Sequence, residues 1–155
     1  MKFLLFLPFI FQGLAMTVDE FHFHRKRGLP LWERIGHPLD TLTVLVCFMW
    51  LMARPLQVTS VATFVGLAGF SCLWVTKDEW VHHRYCSVRE SWLHAVLFIL
   101  HPVCFMSAGW MAWIGGYDWF IKGQIRVLVL FIVYQCIYWN LFWRPKNEAA
   151  SSSGE

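Results

Sequence analysis

The stretch from Trp92 to Ile114 reads WLHAVLFILHPVCFMSAGWMAWI, 23 residues without a single Asp, Glu, Lys or Arg. At about 1.5 Å per residue, a helix of that length crosses a hydrocarbon core of ~30 Å. Four further apolar runs lie along the chain, at Phe3 to Val18, Leu39 to Ala53, Leu56 to Val75 and Ile125 to Trp143, each interrupted by Pro, Gly or charge. With 57% of its 155 residues apolar and only 15% charged, the chain has too few polar residues to cover a soluble fold of this size. The expected fold is an all-α integral membrane protein of five transmembrane helices. The number falls to four if the first run, with Lys2 ahead of it and the small residues Gly13 and Ala15 inside it, is a cleaved signal peptide. The second run is short, so its helix is expected to extend into the polar segment before it.

One transmembrane domain is predicted over residues 1–147, made of hairpins at about 1–54 and 55–114 with an extra helix at about 125–143. The Ser-rich residues 148–155 are expected to be disordered. The turn Ala53-Arg54-Pro55 makes runs two and three a tight hairpin.

The net charge of +3 is spread over short connecting segments, so no nucleic-acid face is indicated. Its use is in topology. With the N-terminus outside, nine cations (Arg25, Lys26, Arg27, Arg34, Lys77, Arg84, Arg89, Arg144, Lys146) fall inside and four (Lys2, Arg54, Lys122, Arg126) outside. That split follows the positive-inside rule and predicts a cytoplasmic C-terminus, in a bacterial inner membrane. Cleavage after the first run would put Arg25-Lys26-Arg27 outside, against the same rule. None of the five cysteines forms a Cys-x-x-Cys pair and four lie in apolar runs, so no disulfide framework is expected.

The polar segments carry a repeated order. Asp19-Glu20-Phe21-His22-Phe23-His24-Arg25 follows the first run and Asp78-Glu79-Trp80-Val81-His82-His83-Arg84 follows the third, both reading Asp-Glu-aromatic-x-x-His-Arg. Downstream stands Glu33-x-x-x-His37 in one case and Glu90-x-x-x-His94 in the other. Alternating topology brings all four pairs to the same end of one bundle. Residues four apart share a helix face, so each pair offers a carboxylate oxygen and an imidazole nitrogen to one point. The predicted metal ligands are therefore Glu20, His24, Glu33, His37, Glu79, His83, Glu90 and His94, a set sized for two ions. Two divalent ions would cancel four carboxylates with neutral imidazoles. Oxygen and nitrogen donors suit Fe, Mn or Zn, with Fe the leading choice; haem would leave the repeated glutamates without a role.

Asp19, Asp40 and Asp78 are placed to orient imidazole N–H groups. His22 and His82 are out of phase with the pairs and rank as spare ligands, with a place at the surface the leading expectation. His101, two turns beyond His94 and deep in an apolar run, is the candidate catalytic residue, handling protons or contacting substrate. Tyr134, Gln135, Tyr138 and Asn140 give the fifth run a polar side that would face it or line a pocket. The tryptophans concentrate near run ends as an interfacial belt does.

As a pattern only, this set resembles the di-metal carboxylate bundles in which Glu and Glu-x-x-His groups point inward from four helices. It departs from them in having three intervening residues and a His on every helix, and it lacks the His-x-x-His-His boxes of membrane hydroxylases and desaturases. The expected function is a metal-dependent membrane oxidoreductase or hydroxylase acting on a lipophilic or interfacial substrate. No glycine-rich nucleotide or flavin motif is present, so a separate electron donor protein is implied. Alternatives are a zinc-dependent membrane hydrolase and a non-enzymatic metal carrier, sensor or assembly factor.

Overall fold

A computed structural model describes residues 2–54 and 56–143. It is built of five long helices, and no strand occurs among the described residues. They are α1 (Phe3–Arg27), α2 (Leu31–Ala53), α3 (Val58–Tyr85), α4 (Val88–Ile114) and α5 (Asp118–Phe142), each long and apolar enough to cross a membrane. The Ser-rich tail predicted to be disordered lies outside the described residues.

Each helix runs past its apolar stretch, as expected for the second. At 23 to 28 residues and about 1.5 Å per residue, they outreach a ~30 Å hydrocarbon core, so their ends project into the interface. The C-terminal ends of α1, α3 and α5 and the N-terminal ends of α2 and α4 share one end of the bundle. Gly28 makes the sharp α1–α2 turn possible, because its φ is +81° and a Cβ there would collide with the Trp143 ring. Pro30, in extended backbone, then opens α2. Between α3 and α4, Ser87 and Glu90 form a capping box: the Ser87 hydroxyl accepts from the Glu90 amide at 3.3 Å, and Glu90 Oε2 accepts from the Ser87 amide at 3.4 Å. The cap also fixes where the Glu90 carboxylate stands.

The helices pair in a series, α1 on α4, α4 on α3, α3 on α2 and α2 on α5, with α2 and α4 also touching at the centre. Their common core holds Cys47, Phe48, Leu51, Phe64, Ala68, Phe105, Ala108 and Ile121. Lipid tails are as apolar as these side chains, so association depends on close fit more than on exclusion of water. Gly109 shows this, since a Cβ there would stand 2.9 Å from Phe64 Cε1. The outer faces carry Leu14, Val65, Ile99 and Leu130, all exposed and suited to a hydrocarbon surround.

Candidate metal centre

The projecting ends enclose a cluster of carboxylates and imidazoles. Asp19, Glu20, His24, Glu33, Asp78, His82, Glu90 and His94 are buried there, and His37 and Asp40 nearly so. Four imidazoles are contiguous: ring centroids lie 4.8 Å apart for His24 and His37, 6.2 Å for His24 and His94, and 4.1 Å for His82 and His94.

Local backbone geometry selects which residues point inward. On α1 the segment Asp19–His24 is a π-helix. A π turn closes i onto i+5, so Asp19 and His24 come together, with His24 Nε2 at 3.3 Å from Asp19 Oδ2 and Nδ1 at 3.5 Å from Glu20 Oε2. On α3 a short 3-10 turn, Val75–Asp78, leads into the regular helix Glu79–Tyr85. Four residues now make one turn, so Asp78 and His82 fall on the same helix face and both are buried.

This register corrects part of the sequence expectation. The structure brings together Glu20, His24, Glu33, His37, Glu90 and His94, but not Glu79 or His83. The Glu79 side chain is 67% exposed, reaching only the outer side of His82 at 3.9 Å, and His83 is exposed. His82, expected at the surface, is buried instead; His22 is exposed. The physical reason is the backbone: the two motifs have the same spacing, but α1 widens to a π turn over it and α3 does not, so the inner position falls one residue earlier in α3. A sequence signal did exist, because Asp78-x-x-x-His82 has the same spacing as Glu33 to His37.

Charge is partly neutralised from within. Arg27 donates through Nη1 to Glu33 Oε2 at 2.9 Å and through Nε to Glu90 Oε1 at 3.0 Å. Lys77 donates to Asp78 Oδ2 at 2.7 Å and to Asp40. Two tryptophans, which the sequence marks only as interfacial, also donate here: Trp32 Nε1 to Asp78 Oδ1 at 2.7 Å, and the buried Trp139 to Glu20. Six shielded carboxylates thus face two cations, which would leave four negative charges with every carboxylate ionised and the imidazoles neutral.

The imidazoles do not complete the network. Both nitrogens of His24 and of His82, Nε2 of His37, Nδ1 of His94 and Oε1 of Glu33 are buried without a hydrogen bond, although the His24 and His82 nitrogens stand 3.3 to 3.9 Å from the carboxylates of Asp19, Glu20, Glu33 and Glu79. Buried polar atoms normally find close partners, and a neutral imidazole keeps one lone pair, which these loosely held nitrogens could offer to a cation. His94 shows the arrangement directly: its Nε2 donates to Asp19 Oδ1 at 3.0 Å, which leaves the Nδ1 lone pair free. A carboxylate behind a metal-bound imidazole acts in this way. Among the described residues, three groups have donor atoms within 4.8 Å of one another and so could hold an ion: Asp19, His24, Glu90 and His94; His37, Asp40 and Asp78; and His82, Cys86 and His94. Cys86 is new to the set. Burial pushes its thiol up to about 12, so without a metal it stays protonated.

Behind the cluster an apolar cavity of about 330 Å³ extends into the bundle, its walls including Val44, Phe48, Leu97, Phe105 and Leu128. His101 lines it, and its partner lies on α3 rather than α5. The Thr43 hydroxyl donates to the Asp40 carbonyl at 2.7 Å, so Thr43 accepts from Ser71 at 2.7 Å. Ser71 has then spent its proton and must accept from His101 Nε2 at 3.0 Å. The chain favours the Nε2–H tautomer and so leaves Nδ1 as the acceptor of a residue that lines the cavity. On α5, Gln135 accepts from Thr41 at 3.2 Å and lines the same cavity, whereas Tyr138 accepts from Arg25 and Asn140 bonds its own helix.

The helical fold and the apolar spans define an integral membrane protein with candidate metal-binding groups at one end. Comparison with family models, curated proteins and solved structures finds no match for this chain.

Proposed function

We propose that the protein is a metal-dependent membrane oxidoreductase or hydroxylase with a two-ion centre, acting on a lipophilic substrate held in the cavity behind it. The carrying observation is the continuity of the two: imidazoles of His24, His37, His82 and His94 and carboxylates of Asp19, Glu20, Asp40 and Asp78 form one wall of a cavity whose surface is mainly apolar. Binding sites of this kind join an apolar pocket to a few convergent polar groups. The ligand set is Asp19, His24, Glu33, His37, Asp78, His82, Glu90 and His94, and two divalent ions would balance the four uncompensated charges. The order carboxylate-His, carboxylate-His occurs twice, which supports duplication of a helical hairpin.

Fe is the leading ion, with Mn and Zn also suited to oxygen and nitrogen donors. A bound redox ion would supply the oxidising chemistry, fed by a separate electron donor protein. The protein's own side chains hold the substrate beside the centre and exclude water, and His101 in the cavity wall keeps Nδ1 as an acceptor. The Arg and Lys excess at the cluster end supports a cytoplasmic position for it.

A second reading, non-enzymatic metal binding, is favoured by Arg27 and Lys77, which already engage four carboxylates as a structural network would.

Elemental analysis of detergent-purified protein with an optical spectrum tests the reading, on the wild type and on Asp78→Ala/His82→Ala. About two Fe or Mn per chain, absent from the variant, is the expected result. Zinc would redirect the proposal to hydrolysis. No bound metal after reconstitution would reduce the cluster to an ion-pair network and end the proposal.

A further inference from the structure

The helix pairing series leaves one seam, between its two ends, α1 and α5. These helices are tied together at both extremities. At the cluster end Trp139 donates to Glu20, Arg25 donates to Tyr138 at 3.0 Å, and the rings of Phe21 and Tyr134 lie 5.6 Å apart. At the opposite end Phe120 packs on Phe6 and Phe9 with centroids at 4.8 and 5.0 Å. Between the two clamps lie Gly13, Thr17 and Val127, which line the cavity and are also exposed on the outer surface. The cavity-lining residues of α2, α3 and α4 are all buried or half-buried. A residue that faces both ways marks a mouth. An added Cβ at Gly13 would meet nothing within 4 Å, and Thr17 turns its hydroxyl back to the Gly13 carbonyl at 2.7 Å, so the rim at these residues is apolar, with the half-buried Gln12 and Gln124 beside it.

We propose that this mouth is a lateral window through which a single-chain amphiphile of the fatty-acid class enters from the bilayer, its head towards the cluster and its tail along Phe48 and Phe105. Size supports one chain, since about 330 Å³ lies at the low end of the roughly 300–1,000 Å³ of ligand pockets. Depth supports the direction. The cluster stands at the interface, where heads reside, and Phe48 lies eight residues, roughly 12 Å, beyond Asp40 along α2. The direction of the head and the reacting carbons nearest it rest on the metal centre proposed above, because its ions offset the surplus carboxylates that would otherwise repel an acidic head, whereas the window itself does not.

Photo-crosslinking in nanodiscs tests this, with two fatty acids carrying a diazirine either near the carboxyl or near the terminal methyl, and with metal content measured on the same samples. The carboxyl-proximal probe is expected to label the region of Leu97, and the methyl-proximal probe that of Phe48 and Phe105. Gly13→Trp, or Val127→Trp on the opposite rim, should lower both signals several-fold, while the outward-facing Leu14→Trp leaves them unchanged. Labels confined to outer residues such as Leu130 and Ile99, reversed polarity of the two probes, or cavity labelling unaffected by both rim variants would overturn the proposal. Cavity labelling without bound ions keeps the window and removes the centre; bound ions without cavity labelling do the reverse.

Discussion

The inner ends of α1 and α3 carry the same chemistry on different backbones. In α1 a π turn spans Asp19 to His24, five residues apart, and in α3 an ordinary turn spans Asp78 to His82, four apart. Either way a carboxylate and an imidazole arrive on one buried face. The difference teaches that a similarity of residue types does not fix facing, because one inserted residue turns a helix face by about 100° unless the turn widens to absorb it.

The largest expected effect breaks the two registers apart. Removing outer partners of metal-bound histidines costs roughly 10–100-fold in affinity, so loss of two direct ligands in Asp78→Ala/His82→Ala should cost more. Glu79→Ala/His83→Ala, which follows the sequence register, should leave metal content intact. Parallel metal titrations check this, and equal loss in both variants would refute the structural register.

Next come changes of spacing. Inserting one alanine between Asp78 and His82 should rotate His82 off the inner face and abolish most metal binding. Deleting the exposed His22 should convert the π turn of α1 to an α turn, with Asp19 and the following histidine still paired and metal retained. Elemental analysis of the two proteins reads the contrast, and if the deletion were as damaging as the insertion, the π turn would be more than a spacer.

A smaller effect is expected at Arg27, which holds Glu33 and Glu90 from α2 and α4. Breaking a buried pair by removing one partner costs about 3–5 kcal/mol. Arg27→Met should lower the melting temperature of the metal-free protein and lower it less once divalent metal is bound. Melting curves with and without metal measure this; no shift in the metal-free form would show that these carboxylates are protonated.

The smallest effect concerns His101. Ser71→Ala leaves a buried Nε2–H without its acceptor, at a cost of about 1–3 kcal/mol, and releases the tautomer. Thermal melting gives the first and imidazole NMR the second. A wild-type His101 already mixed between tautomers would remove the argument for a fixed acceptor.

Much of this was open to reading from residues alone. Runs of apolar residues without charge need no partner to be recognised, because the bilayer is their solvent and length sets the span. The pairs Glu33/His37 and Glu90/His94 were legible for a similar reason: both lie in regular helix near N-termini, where spacing converts directly into facing. Local sequence also placed Glu90, through its cap with Ser87.

Tertiary structure decided the rest. The choice of His82 over His83 depends on helical pitch at a single turn, a difference of one backbone hydrogen-bond pattern between α1 and α3. Arg27, Lys77, Trp32 and Trp139 reach the cluster across 6 to 119 positions of chain or from a neighbouring residue, and no periodicity encodes such meetings. The cavity and its seam arise because five helices paired in series must leave two ends, and where those ends part is fixed only by the aromatic clamps above and below. Sequence determined the solvent of this protein and the chemical kinds it gathers; folding in three dimensions determined which of them face one another, since facing depends on pitch and packing as well as on order along the chain.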